Sequence, residues 1–283
     1  MRELEQKQGW MINGGNSEQY YKMAAASAMM LKIHQTLPVA VCIDKADNWP
    51  TEFEDCVDYV VEYPFGDTSH NMPQNVQLNQ WQFYHVTPFH ETIVIESDTL
   101  ILNDVSYIED ILEHNDLLFP TEITDFRNVP YVPPHVAFFK ESRLEKVHAG
   151  IWTFKQGTEA MQYFKMLDVV SQHWRDAFKE YFKPEHVPDT PILDVLHSIS
   201  ATMIGEHENI TVHDPLLLRY THMLSSPDDK WNDHMNVWYT DNFKIDNYRQ
   251  NGIIKYSEPD VLSERILDGI RKNYRNSNRS DQT

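Results

Sequence analysis

Residues 91–102, ETIVIESDTLIL, restrict the fold more than any other stretch of the chain. The run Ile93-Val94-Ile95 has the composition of a buried strand. It ends in two acids, Glu96 and Asp98, separated only by Ser97, and the apolar run Leu100-Ile101-Leu102 follows at once. Carboxylates at the end of a buried strand are costly unless a cation meets them. Residues two apart on a strand project to one face, so Glu96 and Asp98 can share that cation. A divalent metal carrying a phosphorylated ligand is the natural candidate. The duller alternative is a strand followed by an Asp turn, with Glu96 in solvent.

The neighbouring segments repeat this logic. GWMIN (9–13) reads as a strand and Gly14-Gly15-Asn16 as a turn. Residues 18–35 carry a dense apolar helical face. PVAVCID (38–44) is a second buried strand that ends in Asp44, and CVDYVVEY (56–63) a third. A helix is expected over 75–87, ahead of Pro88. This rhythm is that of an α/β domain with a mainly parallel sheet flanked by helices. Ligands in such sheets bind beyond the carboxyl ends of the strands, where Asn13, Asp44, Glu96 and Asp98 all fall.

The second half is more helical and less regular. Helices are expected over 105–114, 158–183, 188–203 and 259–274, and a strand over 148–154 (HAGIWTF). The reading is one domain over 1–274, in two halves at 8–104 and 105–274. A disordered tail is expected at 275–283.

Composition narrows the function classes. Forty-three acidic residues against 24 basic ones leave a net charge of -19, which disfavours a broad nucleic-acid footprint. Cys42 and Cys56 offer neither a disulfide framework nor zinc spacing. The opening MRELEQKQGW lacks an apolar signal region, and no apolar run approaches a membrane span. A soluble protein of the cytoplasm is expected. No P-loop, GxSxG, HExxH or GxGxxG is present, so NTPase, serine hydrolase and zincin readings have no support.

The segment WQFYHVTPFHETIVIESDTLILND resembles the helix-strand-DxD stretch of GT-A fold glycosyltransferases. GWMINGGNSEQYYKMAAASAMMLKIHQTLPVAVCID resembles their first βαβ unit, which holds the base and ribose. HAGIWTF resembles their N-A-G-x-x-x-F acceptor-side strand, and THMLSSPDDKW the late histidine segment of the glycogenin-like branch. NFKIDNYRQNGIIKYSEPD is similar to glycosyltransferase-like proteins of T4-type bacteriophages. Together the likeness covers most of 8–260. It departs from the family pattern at Glu96, where Asp is usual, at His148, where Asn is usual, and after His222, where the Gly and the close Lys-Pro-Trp are missing.

That resemblance implies a GT-A, Rossmann-like fold and a hexosyl- or pentosyltransferase, with a nucleotide-sugar half at 8–104, an acceptor half at 105–274 and, if the chain is viral, the host cell's cytoplasm as its location. Mn²⁺ or Mg²⁺ would be held by Glu96, Asp98 and His222. The donor would be a nucleotide-sugar, most naturally a UDP-sugar, bound with help from Asn13, Gly14 and Asp44. His148 and Gly150 would line the acceptor side. An acid at the start of the 188–203 helix, Asp189 or Asp194, would face the sugar or acceptor; Asp189 can equally be an N-cap. Asp98 and Asp189 are the expected catalytic acids. Lys230, Lys244 or Arg249 would meet the leaving diphosphate, and each is also an ordinary surface cation. Asp125 and Arg127 line the acceptor cleft or form an internal salt bridge. The acceptor is a hydroxyl, with a hydroxymethylated pyrimidine of phage DNA as one candidate and a glycan or small molecule as the other. The glycogenin-like branch implies retention of anomeric configuration. A GT-A-like binding module without turnover is the rival class, and a nucleotidyltransferase a weaker one.

Overall fold

The computed structural model describes residues 6–68, 76–133, 135–211, 218–224, 237–239, 243–257 and 259–280. In chain order the first half gives β1 (Gln6–Gly15), α1 (Glu18–His34), β2 (Val39–Ile43), β3 (Tyr59–Glu62), α2 (Phe83–Val86), β4 (Phe89–Glu96) and β5 (Thr99–Ile101). The middle gives α3 (Tyr107–His114), β6 (Leu117–Leu118), β7 (Thr124–Asp125), α4 (Val136–Glu141), β8 (Ile151–Lys155), α5 (Thr158–Gln172), α6 (Trp174–Tyr181) and α7 (Leu193–Met203). The remainder gives β9 (Thr221–His222), β10 (Val237–Tyr239), β11 (Phe243–Ile245), β12 (Tyr248–Arg249), β13 (Ile253–Lys255) and α8 (Glu264–Ser280).

The main sheet has the order β3-β2-β1-β4-β8-β6. Its first four strands are parallel, and β8 runs antiparallel to both β4 and β6. The period-two alternation of β1 and β4 feeds two cores. Trp10, Ile12, Ile93 and Ile95 pack on the α1 and α8 side. Met11, Val94, Trp152 and Phe154 pack on the α5 and α7 side. Helix α1 is buried continuously from Met23 to Leu31, because α8 covers the flank that the sheet does not. A smaller sheet, β5-β13-β9-β7, joins residues from the two expected halves: β5 pairs antiparallel with β13.

Several elements differ from expectation. The helix expected over 75–87 is a 3₁₀ turn, Val76–Gln82, followed by the short α2. Buried Asn79 and Gln82 accept hydrogen bonds from the backbone N–H groups of Thr68 and Phe65, and a tight turn presents them for this. The stretch 158–183 breaks at His173. Helix α7 begins at Leu193 rather than 188, after Pro191 and an extended Ile192. The tail expected to be disordered from 275 is helical to Ser280, and Tyr274 anchors that end by donating to the Asp55 carbonyl at 2.6 Å. No described helix is long and apolar enough to cross a membrane.

His197 of α7 is fully buried and takes part in a closed relay. Its Nδ1 meets the Tyr163 hydroxyl, and its Nε2 lies 3.0 Å from Gln80 Oε1. A carbonyl oxygen only accepts, so Nε2 carries the proton and Nδ1 accepts from Tyr163. Burial pushes the imidazole down to about 3. Between that value and the ordinary 6.5, the unfolded chain takes the proton and the folded chain does not. His197 therefore removes stability as pH falls below 6.5, by up to about 1.4 kcal/mol per pH unit. Urea unfolding at pH 7, 6 and 5 should show a shallower acid loss for His197→Gln than for the parent chain.

Candidate functional site

Strand order and register bring the expected acids to one edge. Asn13 pairs in register with Glu96 at the carboxyl ends of β1 and β4. Its Oδ1 accepts from the Tyr63 hydroxyl at 2.7 Å. Asp44 sits at the end of β2, where its carboxylate accepts from the Tyr21 hydroxyl at 2.5 Å and from Asn48 at 3.1 Å. A β-bulge at Gly14 brings that residue against β2: a Cβ there would stand 2.6 Å from methyl carbons of both Val41 and Ile43. The closeness of β1 and β2 at their ligand edge thus requires glycine.

Glu96 is buried, against the alternative of a solvent-facing acid. The turn that carries it is clamped from below. The Ser27 hydroxyl, deep in α1, contacts the carbonyls of Ser97 (2.9 Å) and Thr99 (2.5 Å). Above, the cation that meets the two acids is Lys255, at the end of β13. Its Nζ donates to Asp98 Oδ1 at 2.5 Å and to Glu96 Oε2. Burial pushes the Glu96 carboxyl up to about 7, opposed by Lys255 and reinforced by Asp98. Burial also works against the Lys255 charge, but Asp98 and Glu96 outweigh it and hold the ammonium above its ordinary value.

A second cluster centres on Asp194, in the first turn of α7. Its Oδ2 contacts His135 Nε2 at 2.7 Å and His148 Nδ1 at 3.1 Å, and its Oδ1 accepts the Ala149 N–H at 2.9 Å. Burial opposes ionisation, yet the two histidines outweigh it and hold the carboxyl well below the usual range. Among the described residues, this is the group whose His and Asp ligand atoms gather within 4.8 Å, as a metal would need. The Tyr220 ring lies 6.4 Å from that of His148. Burial first, then Asp194, Glu96 and Asp98, push its hydroxyl up.

Gly150 completes this wall. A Cβ there would lie 2.8 Å from the Tyr220 ring. The ring is buried, so Gly150→Ala should cost about 1–3 kcal/mol by overpacking. Thermal unfolding beside Gly150→Ala/Tyr220→Leu, which removes the ring, checks the cause: the double variant should recover part of the loss.

His222 is not drawn into either group. Its ring stacks on Tyr131 at 4.2 Å, its Nδ1 accepts from the Leu224 N–H, and its Nε2 lies 3.2 Å from Ser257 Oγ. Burial, then Lys255, push it down to about 4. Asp189 is exposed and contributes only its carbonyl, to Arg175. The acid at this helix that meets His148 is Asp194. Asp125 is internally paired with Arg127 at 2.7 Å. Lys244 and Arg249 are exposed; Arg249 lines a cleft of about 610 Å³ with Arg219, Tyr107 and Tyr220. Lys230 lies outside the described residues.

Mn²⁺ or Mg²⁺ was expected at Glu96, Asp98 and His222. The two carboxylates do converge, but on Lys255 Nζ, and both His222 nitrogens are engaged elsewhere. Glu96 Oε1, buried and without a partner among the described residues, is a single oxygen and makes no ion site by itself. As placed, these side chains do not fit a bridging divalent ion. Lys255 and His135 are the two participants that sequence reasoning missed. The only sequence signal for Lys255 is the apolar run Gly252-Ile253-Ile254 ending in a lysine.

No family model matches the sequence, and no curated protein matches it. Solved structures do match. Mouse xyloside xylosyltransferase 1 aligns with a TM-score of 0.45 and 9% identity, over 73% of this chain and 84% of that one. The glycosyltransferase GlyE of Streptococcus pneumoniae TIGR4 aligns at 0.42 and 13%, over 74% and 46%. The bifunctional glycosyltransferase WbbM aligns at 0.55 and 12%, over 98% and 51%. The chain thus spans about half the length of GlyE or WbbM. What it shares with WbbM is the fold: a Rossmann-like architecture with a central, mostly parallel sheet flanked by helices.

Proposed function

We propose that the chain transfers a sugar from a nucleotide-sugar, a UDP-sugar first, to a hydroxyl acceptor. The observation that carries this reading is the Glu96–Asp98 pair beside Asn13, at the carboxyl edge of the parallel strands in a WbbM-like fold. Asn13 and Asp44 would meet the nucleoside, since both present polar groups at that edge. Cleaving the glycosidic bond leaves a nucleoside diphosphate on which negative charge builds, and Lys255 is the buried cation nearest the acid pair. Asp194, kept ionised beside His148, would face the sugar on the acceptor side, in preference to the exposed Asp189. Whether the sugar is a hexose or a pentose follows from the donor that binds. A hydroxymethylated pyrimidine in phage DNA is the specific acceptor candidate; with a net charge of -19, DNA would have to approach through the cleft with Arg219 and Arg249.

A second reading, a GT-A-like binding module without turnover, is favoured by one observation: Lys255 already occupies the space between the two acids. If a divalent ion serves the reaction, the group among the described residues that offers it ligands is His135, His148 and Asp194. Calorimetry and hydrolysis with UDP- and GDP-sugars decide between the two functions. Binding with slow hydrolysis of one donor is expected of a transferase. Binding without hydrolysis or transfer indicates the module, and no binding of any donor overturns both.

A further inference from the structure

We propose that the Glu96–Asp98 site carries its cation within the chain: the Lys255 ammonium replaces a divalent metal there, and a nucleoside diphosphate binds without one. The diphosphate part rests on the transferase reading above; the cation part does not.

The geometry is that of a bridging ion. One atom, Nζ, contacts a carboxylate oxygen of each acid. The three side chains are 14%, 9% and 15% exposed for Lys255, Glu96 and Asp98, so this is no solvent-screened surface pair. The lysine is also held from its backbone. Lys255 pairs in register with Thr99 on β5 and with His222 on β9. Its carbonyl accepts the Met223 N–H at 2.9 Å, and the next residue, Tyr256, donates its N–H to the Asp98 carbonyl at 3.0 Å. The strand that delivers the ammonium and the turn that carries the acids are therefore one unit.

A divalent ion would need this same space. Mg²⁺ demands near-octahedral oxygen coordination at about 2.0–2.1 Å. It would have to expel Nζ while the lysine stem stays anchored beside it, placing like charges together. The third expected ligand, His222, has both nitrogens committed to Leu224 and Ser257. A single tethered ammonium meets one oxygen of each acid with no such cost.

The test is a Mn²⁺ titration of the full chain, followed by electron paramagnetic resonance in metal-free buffer without nucleotide. The parent chain and Asp98→Asn should bind Mn²⁺ equally weakly. Lys255→Met, checked for folding by circular dichroism, should bind it ~10-fold or more tightly, and Lys255→Met/Asp98→Asn should lose that gain. Parent affinity that falls ~10-fold or more on Asp98→Asn would overturn the proposal, and this comparison decides even if Lys255→Met does not fold. Calorimetry with UDP in EDTA tests the second part. Binding by the parent that Lys255→Met loses, and Mn²⁺ restores, supports it. Binding by the parent only when Mn²⁺ is added overturns it. Should no UDP bind under either condition, the diphosphate part and the transferase reading fail together, while the Mn²⁺ series still judges the cation.

Discussion

Lys255→Met should lower the free energy of unfolding by about 3–5 kcal/mol at pH 8, because removing one partner leaves buried carboxylates uncompensated. Urea unfolding measures it. The triple variant Glu96→Gln/Asp98→Asn/Lys255→Met should recover most of the loss, since it removes the charges as well as their partner. A loss below about 1 kcal/mol would mean the cluster behaves like an exposed ion pair. The pH dependence has a fixed sign. The Glu96 carboxyl is pushed above its ordinary 4.5 to about 7 by burial, so the folded chain holds a proton that the unfolded chain releases between those values. Its ionisation thus costs stability as pH rises from 4.5 through 7. Without the lysine that cost grows, and the gap between Lys255→Met and the parent should narrow as pH is lowered from 8 to 6.

Asp194→Asn should reduce donor hydrolysis or sugar transfer by ~10²–10³-fold, the scale of losing one preorganised electrostatic group. Asparagine can still accept the Ala149 N–H, so the fold should survive. Steady-state kinetics beside a thermal melt separates the two effects. Asp194→Asn with unchanged turnover would remove the residue from the chemistry. The sign of its titration adds a check. Its folded-state value is depressed against burial by His135 and His148, so the stability it contributes is present above the unfolded value and lost as acid is added below it. An acid limb of the activity profile above about 4 therefore belongs to another group.

The parallel half of the fold was legible because its signals are local. β-Branched runs of four to eight residues bounded by glycine or acids read as buried strands without knowledge of their partners. Glu96 and Asp98 were legible for the same reason: their placement is anomalous within a dozen residues. Lys255 was not, since GIIKYSE looks like any short strand with one surface lysine, and only its register against Thr99 aims it at the acids. Of the cations weighed instead, Lys244 and Arg249 are exposed, and Lys230 lies outside the described residues. His135 stood in a proline-rich loop with no periodicity to give it a face, and Asp194 could not be separated from Asp189 until the start of α7 was known. The 3₁₀ turn at Val76–Gln82 was missed because its buried amides serve a loop, a role that hydrophobic patterning does not register.

The pairing of β5 with β13 has a consequence for how the chain matures. The acids and the lysine that balances them are separated by 159 and 157 positions. A ribosome that has released the first four parallel strands has made a nearly complete Rossmann-like half with an open edge at β5 and two acids that lack their lysine. That intermediate should linger, because the contact that completes it is among the most distant in the chain, and such contacts form slowly. Nascent chains arrested before residue 253 should be caught by proteolysis or chaperone binding at β5, and release from both should coincide with the emergence of Lys255.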